Sequence, residues 1–252
     1  MSGLAFLALG AFGLVVGTLI GCIGIGGVLL VPALTYLGGI KIQVAIAAAM
    51  FSYLFTGAIG AAIYARRRSI HWSMAAWLCA GAMPAAFVGA WASNAVPGRL
   101  LELSIAILII FAGINALRQG GSDGQEAQVL NNAPLALIGM VTGGASALTG
   151  TGGPLVLVPI LIWLKVPVLT AIGLSQVIQL PIAALATGGN LIYGQVNMGL
   201  GTVIAGGLTL GAALGAHLAH VLSQRLLRQV VAWVLVAVGL FIVVRLLLTA
   251  CP

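Results

Sequence analysis

Long apolar runs separated by brief polar punctuation make up nearly the whole chain. They cover residues 4–21, 27–38, 42–64, 72–92, 100–117, 133–149, 154–164, 168–192, 199–220 and 229–249. A membrane-spanning helix needs roughly 20 mostly apolar residues. Most of the runs approach or exceed that length, but 27–38 and 154–164 are too short to span. Each short run follows a glycine-rich interruption and is predicted to be a half-helix. The first interruption reads Gly-Cys-Ile-Gly-Ile-Gly-Gly-Val-Leu-Leu-Val-Pro from Gly21 to Pro32. The second reads Ala-Leu-Thr-Gly-Thr-Gly-Gly-Pro-Leu-Val-Leu-Val-Pro from Ala147 to Pro159. A helix broken at membrane depth exposes backbone groups that lipid cannot satisfy, so such breaks persist only inside protein or along a polar cavity. Two matched breaks in two matched halves are the sequence mark of a solute-binding site in a transporter.

The halves are related by an offset of 126 residues. Gly13, Gly17, Gly24, Gly26, Gly27, Gly81, Gly89 and Gly113 recur as Gly139, Gly143, Gly150, Gly152, Gly153, Gly207, Gly215 and Gly239, and Arg99 recurs as Arg225. Chance would align roughly three glycines, so the chain is an internal duplication. The expected organisation is a first half over 1–117, a polar linker over 118–132 and a second half over 133–252. The glycines spaced by four, Gly13-Gly17-Gly21 and Gly207-Gly211-Gly215, read as close helix packing.

Composition agrees with a membrane environment. Of 252 residues, 62% are hydrophobic and 5% charged, against about 25% charged in soluble domains, and the mean hydropathy is +1.21. The expected fold is an all-α polytopic membrane protein. The net charge of +7 arises because the acids number three, Glu102, Asp123 and Glu126. The basic residues fall at segment ends, as membrane anchors do, so nucleic-acid binding is not expected. Trp72, Trp91, Trp163, Tyr64 and Tyr193 are placed in an aromatic belt near segment ends. The first segment has no basic lead-in and is expected to be retained rather than cleaved. Cys22, Cys79 and Cys251 show no metal or redox spacing, and no cofactor is expected.

Charge also bears on orientation. Arg66, Arg67 and Arg68 form the densest basic loop and are assigned to the cytoplasm. If each break is the tip of a re-entrant hairpin, each half has three further crossings and the halves are inverted. The cytoplasmic side then carries Arg66, Arg67, Arg68, Arg118, Lys165, Arg225 and Arg228, against Lys41, Arg99 and Arg245 outside. Eight full crossings would divide the basic residues evenly. The inverted hairpin arrangement is therefore preferred.

The chemistry of the breaks points to an anion. A half-helix beginning at Gly27 or Gly153 turns its unpaired N–H groups and the positive end of its dipole into the protein. Gly24, Gly26, Gly27, Gly152 and Gly153 allow the backbone to approach a ligand. Ser146, Thr149 and Thr151 add donors at the second break, whereas the first offers only Thr18 and Cys22. On the following long helices, the polar residues are Ser52, Tyr53 and Thr56 in one half and Ser175, Gln176 and Gln179 in the other. Tyr53 and Gln179 are equivalent by the offset. The expected ligand contacts are Gly24, Gly26, Gly27, Ser52, Tyr53, Thr149, Thr151, Gly152, Gly153, Gln176 and Gln179, with helix-to-helix packing as the competing role for the polar side chains. No carboxylate is expected at membrane depth, which disfavours a carboxylate proton or sodium relay.

The paired motifs, Gly24-Ile25-Gly26-Gly27…Val31-Pro32 and Gly150-Thr151-Gly152-Gly153-Pro154…Val158-Pro159, resemble those of the TauE/SafE sulfite-exporter family, also called toluene-sulfonate uptake permeases. The likeness extends over nearly the whole chain. The first copy departs from the pattern with Val28 in place of the proline, so its half-helix start is less sharply set. The resemblance implies transport of sulfur-containing anions, such as sulfite, sulfoacetate or other sulfonates, across a prokaryotic cytoplasmic membrane. The implied partners are a small anionic substrate and the lipid bilayer, with a homodimer left open. An anion channel and a carrier of non-sulfur carboxylates remain alternatives. An intramembrane protease using Ser146 with His217 is disfavoured because nothing orients the base, and the chain is not expected to be an enzyme.

Overall fold

A computed structural model of the protein describes residues 3–24, 26–118, 132–192, 196–219, 221, 229, 233, 236–237 and 239–244. Every regular element described is helical. They are α1 (Gly3–Ile23), α2 (Leu30–Tyr36), α3 (Ile42–Arg66), α4 (Trp72–Ala95), α5 (Gly98–Arg118), α6 (Asn132–Thr149), α7 (Pro154–Trp163), α8 (Val168–Ile192) and α9 (Met198–Leu218), with a 3-10 turn over Gly26–Leu29 between α1 and α2. Each apolar run thus becomes one helix, and the last run, 229–249, is helical where described. Among the described residues, α3, α4, α8 and α9 are long and apolar enough to cross a membrane. At 25 residues, α3 and α8 each reach about 37 Å, slightly more than the roughly 30 Å hydrocarbon layer. The protein is an all-α polytopic membrane protein. The linker residues 119–131, with Asp123 and Glu126, lie outside the described residues, as do Tyr193, His220, Arg225, Arg228, Arg245 and Cys251.

Helices from distant parts of the chain interlock: α1 makes its most extensive contact with α9, and α6 with α4. Glycine makes both contacts. A Cβ on Gly17 would collide with the carbonyl of Leu208, and one on Gly211 with the carbonyl of Leu14. The equivalent pair behaves identically, with Gly143 against Ala82 and Gly81 against Ala136. In lipid no hydrophobic force draws helices together, and close backbone approach through small residues supplies the van der Waals contact instead. Residue numbers rise together across both pairs, so α1 runs parallel to α9 and α4 parallel to α6.

The long helices α3 and α8 pack across the centre and run antiparallel. Gly57 faces Gln176 and Leu180, whereas Gly173 faces Tyr64, Ser69 and Ile70. The start of α8 therefore lies at the arginine loop, together with Lys165. The start of α3, with Lys41, lies at the opposite end, where Gly98 of α5 contacts Ile42. Trp72, Trp91 and Trp163 are exposed at helix ends, as a belt requires. Tyr64 does not belong to that belt. It is fully buried, and its hydroxyl donates to the Gly21 carbonyl at 3.0 Å, tying α3 to the end of α1.

Candidate functional site

Both breaks begin with the same turn. The N–H of Gly24 donates to Ile20 O at 2.8 Å, and the N–H of Gly150 donates to Ser146 O at 2.9 Å, the same bond shifted by 126 positions. Both glycines have positive φ, 82° and 73°, the left-handed conformation that closes a helix C-terminus. Beyond this turn the two copies diverge. In the second, Gly152 and Gly153 also have positive φ, 82° and 101°, and α7 starts sharply at Pro154. Only glycine adopts two such residues in succession without strain. In the first, Gly26 and Gly27 enter a 3-10 turn, and the α-helix is delayed to Leu30. The expected half-helix start at Gly27 is thus replaced by a tighter, shorter turn. Val28 supplies no preset φ, whereas Pro154 does.

The breaks lie beside the middle of α3 and α8 and close to each other. Tyr53, near the middle of α3, donates its hydroxyl to Gly27 O at 2.6 Å. A Cβ on Gly152 would lie 2.9 Å from the same tyrosine ring, so Tyr53 is the seam between the two breaks. Gly153 faces Ile178 and Ile182 near the middle of α8. A Cβ on Gly24 would lie 3.3 Å from both Pro154 Cβ and Ser175 Oγ.

Several polar side chains expected to face a ligand are committed to the backbone. Gln176 Nε2 donates to Ile20 O and Gln179 Nε2 to Tyr53 O, both at 3.2 Å. Ser52 Oγ contacts Ala48 O at 2.8 Å and Gly201 O at 3.0 Å, joining α3 to α9. Thr56 and Ser175 hydroxyls donate within their own helices, to Ser52 O and Ile172 O. Thr149 Oγ1 donates to Ala145 O at 2.6 Å and lies 3.1 Å from Thr151 Oγ1. Cys22 Sγ donates to Gly215 O at 3.0 Å, completing the α1–α9 seam. Arg67 reaches His217 Nδ1 at 3.4 Å at the end of α9. His217 is thus placed at the arginine loop, while Ser146 lies beside Gly153.

Unpaired donors remain at the start of α7. The N–H groups of Val156 and Leu157 bond to Gly153 O at 3.2 Å. Among the described residues, nothing accepts from the N–H of Gly152, Gly153 or Leu155. The fully buried Ser146 Oγ lacks a partner as well. Together these form a concentrated set of uncharged donors at a positive dipole end, the chemistry that suits an anion. Ser146 was legible in the sequence through its position one turn before the break. Its unpaired hydroxyl was not. Among the described residues, no cluster of three or more His, Cys, Asp or Glu side chains could hold a metal.

Comparison with known proteins agrees with this architecture. Residues 9–242 match the sulfite exporter TauE/SafE family. A probable membrane transporter protein of Methanocaldococcus jannaschii is 26% identical, covering 91% of this chain and 92% of its own. A probable membrane transporter protein of Xylella fastidiosa is 28% identical with 95% coverage of both chains. The probable membrane transporter protein YunE of Bacillus subtilis is 23% identical, covering 94% and 96%. No solved structure matches the chain. Duplicated glycine breaks, an interlocked helical fold and a match over nearly the full length lead to one assignment: the chain belongs to the sulfite exporter TauE/SafE family.

Proposed function

We propose that this membrane transporter carries a small sulfur-bearing anion, such as sulfite, sulfoacetate or another organosulfonate, bound at the paired breaks and moved by alternating access. The observation that carries the reading is the start of α7, beside the middle of α8, where the N–H groups of Gly152, Gly153 and Leu155 have no partner among the described residues. Backbone donors and a helix dipole attract an anion without a full positive charge. Binding is then weak enough to release the substrate on the far side. The sulfur assignment draws on the family description. No catalytic role is proposed, since Ser146 and His217 lie in different parts of the fold.

The contacts support inverted halves. The equivalent helices α3 and α8 cross antiparallel, while α1 with α9 and α6 with α4 cross parallel. A half turn about an axis perpendicular to α3 and α8 exchanges these pairs. The arginine loop and Lys165 share one end, assigned to the cytoplasm, in a prokaryotic cytoplasmic membrane. Transport would rock the α1–α9 pair and the α4–α6 pair about that axis.

The test is a thermal-shift series on purified protein with sulfite, sulfate, methanesulfonate and acetate. A ligand at ~100 times its Kd stabilises the fold by about 2.7 kcal/mol. Stabilisation by sulfite or methanesulfonate, followed by counterflow in proteoliposomes, is the expected result. Stabilisation by acetate alone would replace the sulfur reading, and response to cations alone would end the anion reading.

A further inference from the structure

The two breaks share a turn but not a lining. At the offset of 126, Thr142 corresponds to Val16, Ser146 to Ile20, Thr149 to Ile23 and Thr151 to Ile25. Each hydroxyl near the second break is replaced by a branched aliphatic near the first. Val16, Ile20 and Ile23 are buried in the apolar core. Thr142 and Ser146 are fully buried too, yet neither hydroxyl has a partner among the described residues. These residues stand four apart on α6 and so share one face. Ser146 Oγ lies 3.9 Å from where a Cβ on Gly153 would be, directly beside the unpaired N–H groups of α7. Thr149 and Thr151 already engage Ala145 O and each other. At the first break, Tyr53 closes the Gly27 carbonyl.

We infer that the substrate site is one-sided: the second half alone supplies its polar groups, with Ser146 as a binding residue and Thr142 one turn behind it. The first half contributes an apolar wall. This rests on the anion reading above and narrows it. A buried hydroxyl without a partner is costly and persists where a ligand or water completes it. Ser146 Oγ would donate to an oxyanion oxygen together with the N–H groups of Gly153 and Leu155. An inverted pair with one polar and one apolar break binds a single anion in a single orientation, rather than in two equivalent poses.

The experiment compares wild type, Ser146→Ala, Thr142→Val and Ile20→Val by calorimetric titration with sulfite and methanesulfonate, alongside thermal unfolding without ligand. Ser146→Ala is expected to raise Kd about tenfold, the effect of losing one hydrogen bond to a charged ligand. Its unliganded Tm should not fall, because the hydroxyl has no partner among the described residues. Thr142→Val should weaken binding in the same direction, and Ile20→Val, which keeps the wall apolar, should change Kd far less than Ser146→Ala. If wild type binds and Ser146→Ala binds equally well, the one-sided site is overturned while the anion reading stands. If Ser146→Ala lowers Tm along with affinity, the hydroxyl is structural and the inference fails. If wild type binds neither probe but takes up a cation or neutral solute, both readings fall.

Discussion

Gln179 donates its side-chain amide to the backbone carbonyl of Tyr53 at 3.2 Å, and the two residues stand 126 positions apart, the offset that relates the two glycine breaks. The contact lies near the middle of both α3 and α8, where the inverted arrangement proposed above places its axis. The same tyrosine holds the first break through Gly27 O and lies against Gly152 of the second. Tyr53 thus touches both breaks, the first through its hydroxyl bond and the second through its ring, and Gln179 holds its backbone.

Gln179→Leu should accordingly act on stability first. It leaves a buried carbonyl without its side-chain donor, at a cost of about 1–2 kcal/mol. Tm in detergent should fall, while sulfite affinity in the folded fraction changes less than in a variant of the α7 start. A large affinity loss with unchanged Tm would instead make Gln179 a direct ligand contact.

Tyr53→Phe keeps the ring and removes the bond to Gly27 O. Because the hydroxyl is buried, the expected loss is about 1–3 kcal/mol of stability. Thermal unfolding measures this directly, and an unchanged Tm would mean that water or a neighbour satisfies the carbonyl equally well.

Glycines at the break and in the seams should respond differently. Gly153 has space for a methyl group, with Ile182 Cδ1 nearest at 3.4 Å, but its φ is 101°. Gly153→Ala is expected to cost about 1–2 kcal/mol in backbone strain and to abolish transport by shifting the α7 donors. Gly17→Val would drive a side chain into the Leu208 carbonyl and should reduce the yield of folded protein. Comparing folded yield with proteoliposome transport separates the two, and full transport by Gly153→Ala would remove the α7 start from the mechanism.

Topology can be tested at two exposed lysines, Lys41 before α3 and Lys165 before α8. Single cysteines at these positions, in a background without Cys22, Cys79 and Cys251, should be labelled by an impermeant reagent from opposite sides. Lys165→Cys is expected to react from the cytoplasm and Lys41→Cys from outside. Labelling of both from one side would reject the inverted arrangement.

Local physics was legible in the chain. Apolar length marked each helix, paired glycines marked each break, and the 126-residue offset marked the duplication, because hydropathy and backbone permissiveness belong to single residues and their neighbours. The packing role of Gly13, Gly17, Gly207 and Gly211 was readable as well, since spacing by four places small residues on one face. What the sequence could not state was which helix each face would meet. Helices that are apolar nearly all round carry no stripe to reveal their partner. The pairing of α1 with α9 across halves comes instead from backbone surfaces fitting together. For the same reason Gln176, Gln179 and Ser52 read as ligand contacts or as packing residues, and Tyr64 as a belt residue, and only the fold shows backbone carbonyls within their reach. Ser146 shows the converse: its identity was plain, but its buried and unpaired hydroxyl exists only because α6 and α7 meet at Gly153. In a membrane, a polar side chain's role depends on whether a partner lies within about 3 Å, and only the tertiary structure decides that distance.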